Sequence, residues 1–116
     1  MAAARFAFLH VGTDATLANI FVRSVLVNNP DAEIVQCSDS WTPPIPGATW
    51  VHRIAGDASK LMLFRTSAWA RLPTNGPTAF CDADMICQAK LDLSAALGDN
   101  DIALCRRVFD LSLIHI

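Results

Sequence analysis

Two aspartates separated by one residue, Asp82 and Asp84, directly follow a short apolar run at Thr78–Cys81. Such a run predicts a buried strand, and ligands of open α/β sheets bind beyond the carboxyl ends of the strands. Two carboxylates at that place are costly unless they face water or a cation. Hard divalent ions such as Mg²⁺ and Mn²⁺ prefer carboxylate and phosphate oxygens. The pair therefore predicts a metal site. The alternative is an ordinary Asp-rich turn, and the triplet Asp82-Ala83-Asp84 alone does not distinguish between the two.

An arginine in a predicted helix bears on that choice. A helix is expected from about Asp57 to about Leu72, and helical spacing places one set of apolar residues on a single face: Leu61, Phe64, Ala68, Trp69 and Leu72. Arg65 falls inside this stripe. A guanidinium on a buried face needs a partner, and Asp82, Asp84 or a diphosphate bound beside them can supply one. A purely structural Arg–Asp pair remains the alternative.

The elements that position these residues alternate between strand and helix. Strands are predicted at Arg5–Val11, Glu33–Cys37, Thr49–Ile54, Thr78–Cys81 and Asp101–Arg106, an extended stretch at Met85–Ala89, and helices over about 17–28, 57–72 and 91–97. This order predicts an α/β fold with a mostly parallel, Rossmann-like sheet and right-handed crossovers. The strands at Arg5–Val11, Glu33–Cys37 and Thr78–Cys81 are expected to be neighbours.

Composition excludes several other classes of protein. Of 116 residues, 53% are apolar and 17% are charged, with a net charge of -2 and no basic cluster of the kind that nucleic-acid binding requires. The apolar runs are shorter than the roughly 20 residues of a membrane helix, and the N-terminus lacks the features of a signal peptide. A cytoplasmic location and no transmembrane segment are expected. Four cysteines, Cys37, Cys81, Cys87 and Cys105, are interpreted as reduced, buried thiols.

Two segments resemble a known family. The run Asn29-Pro30-Asp31-Ala32-Glu33-Ile34, and the run Phe80-Cys81-Asp82-Ala83-Asp84-Met85-Ile86 followed by Leu91-Asp92-Leu93, are similar to the retaining galactosyltransferase and glycogenin-like glycosyltransferases of the GT-A fold. The resemblance covers about residues 5–107. It implies that residues 1–110 are the nucleotide-sugar-binding half of a GT-A domain. It also implies a metal-dependent transfer of sugar from a nucleotide diphosphate donor, UDP-linked, to an unknown acceptor.

The resemblance also implies roles for individual residues. Asp84 would ligate Mn²⁺ or Mg²⁺ directly, and Asp82 would bind the metal more loosely or hold the ribose. The donor-binding residues are expected to be Val11, Gly12, Thr13, Asp39, Arg65, Asp82 and Ala83. The base-binding acidic and aromatic residues that the family carries after its first strand are replaced here by Val11-Gly12-Thr13-Asp14, so the resemblance does not extend to the residues that hold the base. The three tryptophans, Trp41, Trp50 and Trp69, are expected to anchor the core or loops.

The end of the sequence suggests a truncated donor half. Leu111–Ile116 has no turn or cap and resembles a translated sequencing-adapter tail, so residues 111–116 are expected to be non-native. The family's later histidine ligand and its acceptor-binding segments are expected beyond residue 116. The chain alone is therefore expected to be inactive, and its sheet to expose an apolar face or edge where the other half packs.

Two other functions remain open. A haloacid-dehalogenase-like phosphatase also places Asp-x-Asp after an apolar strand, with Asp82 then acting as the nucleophile. Against it, the motif lies late in the chain, and Met85-Ile86 stands where those enzymes carry threonine or valine. A non-enzymatic nucleotide-binding remnant of the same fold is the other alternative.

Overall fold

The computed structural model describes residues 4–73 and 76–103 and contains one four-stranded sheet. The elements are β1 (Arg5–Leu9), α1 (Thr16–Asn28), β2 (Glu33–Ser38), β3 (Trp50–Arg53), α2 (Leu61–Arg71), β4 (Thr78–Asp82) and α3 (Leu93–Leu97). The strand order is β3-β2-β1-β4, and every neighbouring pair is parallel. The predicted α/β class, the parallel sheet and the adjacency of β1, β2 and β4 are confirmed.

The two longer helices cover opposite faces of the sheet. Phe6 and Phe8 of β1 pack with Phe21 and Val25 of α1 on one face. Ala7 of β1 lies on the other face, in a cluster with residues of α2. A strand buried on both faces must be apolar at nearly every position, which explains why β1 has no alternating pattern in the sequence.

The boundaries of α2 differ from the prediction. The helix begins at Leu61, because Asp57 instead accepts hydrogen bonds from the backbone and side chain of Ser59 in a preceding turn. Leu61 is 52% exposed, so the buried stripe of α2 is reduced to Phe64, Ala68 and the following Leu72.

The segment after β4 does not continue the sheet. Asn29, at the end of α1, accepts from Leu91 N (2.9 Å) and donates to Ala89 O (3.3 Å), while Asn28 Nδ2 donates to Cys87 O (2.9 Å). Side chains of α1 thus satisfy backbone groups that a strand would have paired in a ladder. Residues 101–103 are not in a strand either, and the rest of that predicted strand, Cys105 and the 111–116 tail lie outside the described residues.

Large apolar side chains are exposed at several places on the described surface, mostly on the outer faces of the helices. They include Leu61, Met62 and Leu63 on α2, Leu17, Ile20 and Val27 on α1, and Met85 and Ile86 after β4. None of the described helices is both long enough and apolar enough to cross a bilayer.

Candidate functional site

The carboxyl ends of β1 and β4 meet at the point where the chain changes direction across the sheet. From β1 the chain proceeds through α1 to β2 on one side, whereas α2 delivers it to β4 on the other side of β1. Asp82 is the register partner of Leu9. Ligands of open α/β sheets bind in the crevice at such a switch point. The predicted carboxylates and the loop after β1 therefore lie beside this crevice.

Arg65 makes an ion pair with Asp82. Its Nη1 lies 2.7 Å from Asp82 Oδ1, and its guanidinium carbon lies 5.0 Å from the centroid of the Trp69 ring. The Asp82 side chain is 54% exposed and that of Arg65 is 26% exposed. Such a partly exposed pair adds little to stability, so its main effect is to fix the orientation of the two groups. Of the partners that the sequence left open for Arg65, the fold supplies Asp82.

The helix holds this arginine through aromatic packing. Trp69, one turn after Arg65, packs on Phe80 of β4 with ring centroids 5.0 Å apart. Met62, one turn before, lies with its sulfur 3.5 Å from Arg65 Nη2. Trp69 was expected only to anchor the core or a loop. The contact of its ring with Arg65 could also have been inferred, because residues four positions apart in a helix are neighbours.

Asp84 stands exposed in the turn that follows β4. Met85 N donates to Asp82 O (3.2 Å) and closes this turn, while Ala83 packs against the α1-side core. Burial of Ala83 leaves the flanking carboxylates outward, as a hard cation would need.

A divalent ion at this place would draw its protein ligands from the two aspartates. In the ranges 4–73 and 76–103, no group of three or more His, Cys, Asp or Glu side chains gathers at one point. Mg²⁺ is commonly held by one or two carboxylates together with substrate phosphates and water. Asp82 and Asp84 fit that pattern in type and number, and phosphate oxygens of a ligand together with water would have to supply the remaining positions.

Gly12 forms the loop on the β1 side of the crevice. Its φ is +114°, a conformation that strongly favours glycine. A Cβ built at this position would meet no atom within 4 Å, so the space in front of the backbone is open. Val11 packs against the α2-side core, and Thr13 is exposed. The loop thus presents the Gly12 backbone to open space, next to the loop that follows β2.

Asp39 holds this loop indirectly. Its Oδ1 accepts from Trp41 N (3.1 Å) and Thr42 N (2.8 Å), and Thr42 Oγ1 accepts from Gly12 N (2.9 Å). The hydrogen bonds from Thr42 lower the pKa of Asp39 below its usual value. Asp39 thus caps the loop after β2, and its expected part in binding the donor stays a prediction. Thr42 was missed, although an Asp followed at three residues by Thr is a recognisable turn signal.

A glutamine in the centre of β2 fixes the rest of the proline-containing loop. Gln36 is completely buried; its Oε1 accepts from Ile45 N (2.7 Å) and its Nε2 donates to Pro43 O (3.1 Å). A polar residue inside an apolar strand run is a signal that something must pair with it.

His10 is a buried residue at the end of β1. Burial is the main cause of the lowered pKa of its imidazole, and the negative charges of Asp14 and Asp39 partly oppose the shift. Its backbone is fixed on both sides, since its N–H donates to Cys37 O (3.0 Å) and its carbonyl accepts from Ser38 Oγ (2.7 Å). A neutral histidine with a fixed backbone stabilises the start of the Gly12 loop.

Cys37 gives the fold a measurable pH dependence. Burial raises the pKa of its thiol from 9.0 to about 11. The unfolded chain therefore releases this proton above pH 9, while the folded chain keeps it until about pH 11. We expect the free energy of unfolding to fall as pH rises through this window, by up to about 1.4 kcal/mol per pH unit.

Urea denaturation between pH 8 and pH 10.5 measures this effect against Cys37→Ala as the control. The sequence contains no tyrosine, so tyrosine titration cannot contribute to the slope. Lysines titrate in both proteins, and the difference in slope isolates the thiol. Equal slopes for the parent and Cys37→Ala would contradict the assignment of a buried, protonated thiol.

A comparison of the chain with known protein families, with curated proteins and with solved structures finds no match.

Proposed function

We propose that the chain binds a UDP-linked sugar together with Mn²⁺ or Mg²⁺, as the donor-binding region of a metal-dependent GT-A-type glycosyltransferase. One observation carries the proposal: Asp82 lies beside β1 at the switch point of a parallel sheet and is paired at 2.7 Å with Arg65. A cation and an anion held together in an exposed crevice are suited to a ligand that carries both a diphosphate and a metal ion.

Three of the described residues would contribute to binding the diphosphate and the metal ion in different ways. Asp84, exposed in the turn, would ligate the cation through its carboxylate. Asp82 shares its charge between Arg65 and the metal or the ribose. Gly12 leaves open space in front of its backbone, which allows a phosphate to approach closely.

Departure of the diphosphate is the step that this arrangement supports. As the bond between the sugar and the diphosphate breaks, negative charge grows on the leaving oxygen. A divalent ion held by Asp82 and Asp84 would supply Lewis-acid stabilisation of that charge. Arg65, held against Trp69 and Asp82, contributes a fixed positive charge that needs little reorganisation during the reaction.

The same ion pair weighs against the phosphatase alternative. A nucleophilic aspartate needs a carboxylate oxygen with high electron density directed at phosphorus. Asp82 Oδ1 instead accepts a charge-assisted hydrogen bond from Arg65, which withdraws electron density from that carboxylate. Incubation with a small phosphate ester followed by mass spectrometry is expected to show no phosphoryl group on Asp82.

Calorimetric titration of the chain with UDP tests the proposal. With Mn²⁺ present we expect saturable one-to-one binding, and with a chelator we expect the affinity to fall at least about tenfold, because the carboxylates then repel the diphosphate. Uridine without phosphates serves as the matched control and should bind weakly in both conditions. UDP binding that does not depend on the metal, or no binding of UDP with Mn²⁺, would overturn the proposal.

A further inference from the structure

Trp41 lies in the loop after β2, and its side chain is 88% exposed. Trp41 was expected to anchor the core or a loop. That expectation is wrong, because an anchoring tryptophan buries its indole and Trp41 is exposed. Keeping an indole in water forgoes the stabilisation that its burial would bring, and tryptophan is enriched at interfaces, where its ring is covered by a partner.

The backbone beneath this exposed ring is nevertheless held in place. Trp41 N donates to Asp39 Oδ1 (3.1 Å), and Arg53 Nη1 at the end of β3 donates to the carbonyl of Asp39 (2.6 Å). The next residue, Thr42, is buried and bonded to Gly12. The indole is thus presented from a fixed loop at the same edge of the sheet as the crevice.

Other aromatic rings in the described part of the chain are engaged elsewhere. Phe6, Phe8, Phe21 and Phe64 are buried in the core, while Trp50 packs on His52, and Trp69 and Phe80 pack on each other. The loop after β1, from Val11 to Asp14, contains no aromatic residue. Trp41 is therefore the described ring with an open face near the crevice.

We propose that Trp41 is the stacking platform for the nucleobase of the donor, an inference that rests on the proposed function. A base has a flat π face that stacks on indole, and such stacking tolerates any base. β2 and β4 flank β1, so their ends lie roughly 10 Å apart, a span that an extended nucleoside diphosphate bridges. The base then lies over Trp41, and the diphosphate lies between Gly12 and the pair of Arg65 with Asp82.

Pyrophosphate and UDP separate the two halves of this site, because pyrophosphate has no base. Each is titrated with Mn²⁺ into the parent, Trp41→Ala and Trp41→Phe. We expect Trp41→Ala to bind UDP about 5- to 100-fold more weakly than the parent and pyrophosphate equally well. Trp41→Phe, which keeps a stacking ring, should retain most of the UDP affinity. Because the side chain is exposed, both variants should unfold at the parent's urea midpoint.

Tryptophan fluorescence provides an independent readout in the same experiment. Stacking of a base on Trp41 should quench its emission, and the quench should persist in Trp50→Phe but disappear in Trp41→Phe. If Trp41→Ala binds UDP as tightly as the parent, the platform is wrong and the diphosphate site stands. If the parent binds neither ligand, the proposed function fails and the platform fails with it.

Discussion

Replacing Asp84 with asparagine is expected to weaken Mn²⁺-dependent binding of UDP by at least about tenfold, because a neutral amide cannot replace an anionic ligand of a hard cation. Asp82 already shares its charge with Arg65, so Asp84 is the carboxylate expected to bring its full charge to the metal. The side chain is exposed in a turn, and the substitution should leave the fold unchanged.

Asp99→Asn is the matched control for this variant, since it removes one exposed carboxylate from the same chain outside the crevice. It lowers the net negative charge equally and should bind UDP and Mn²⁺ like the parent. Calorimetry on both variants, with urea denaturation to confirm that they are folded, gives the comparison. A folded Asp84→Asn that binds metal and UDP as tightly as the parent would show that the site assignment is wrong.

The central strands could be predicted from the sequence because each of their positions faces a packed layer. β1 and β2 have helices or loops against both faces, and their central residues, 6–9 and 34–37, are apolar except for Gln36. Parallel pairing followed from the helical segments between them, since a parallel neighbour requires a crossover. The apolar runs and the helical segments between them are local features of the sequence, and the observed strands and helices agree with them.

The segment after Asp84 could not be predicted in the same way, because its backbone partners come from a distant part of the chain. Asn28 and Asn29 lie about 60 residues earlier in sequence, and their side chains hold Cys87, Ala89 and Leu91. An extended apolar stretch has the same local pattern whether it pairs in a ladder or rests on side chains. Only the tertiary arrangement decides between the two.

The candidate site shows the same division between local and tertiary information. The contact of Arg65 with the carboxylate pair was predictable, since helical spacing placed the arginine toward the sheet and the strand end placed Asp82 there. The sequence could not predict that Arg65 pairs with Asp82 and not with Asp84, because this pairing depends on the turn that Met85 closes. The open face of Trp41 was likewise invisible in the sequence, where an indole is more often buried.

Replacing Gln36 with leucine is expected to lower the free energy of unfolding by about 2–4 kcal/mol, because two polar groups of the loop lose their partner in the core. Leucine fills a similar volume but cannot accept from Ile45 N or donate to Pro43 O. Ile45 is itself buried, so its freed N–H has little access to water. The same loop carries Thr42, and we therefore expect weaker binding of UDP as well.

Gln88→Leu makes the same chemical change at an exposed position and should alter the free energy of unfolding by no more than about 0.5 kcal/mol. Urea denaturation of the two variants measures the difference, and hydrogen exchange at Ile45 N reports on the loop directly. In Gln36→Leu that amide should exchange much faster than in the parent, since its acceptor is gone. If the two variants unfold at the same urea concentration and Ile45 N stays protected, then the loop is held by its prolines and packing, and Gln36 does not connect the core to the crevice.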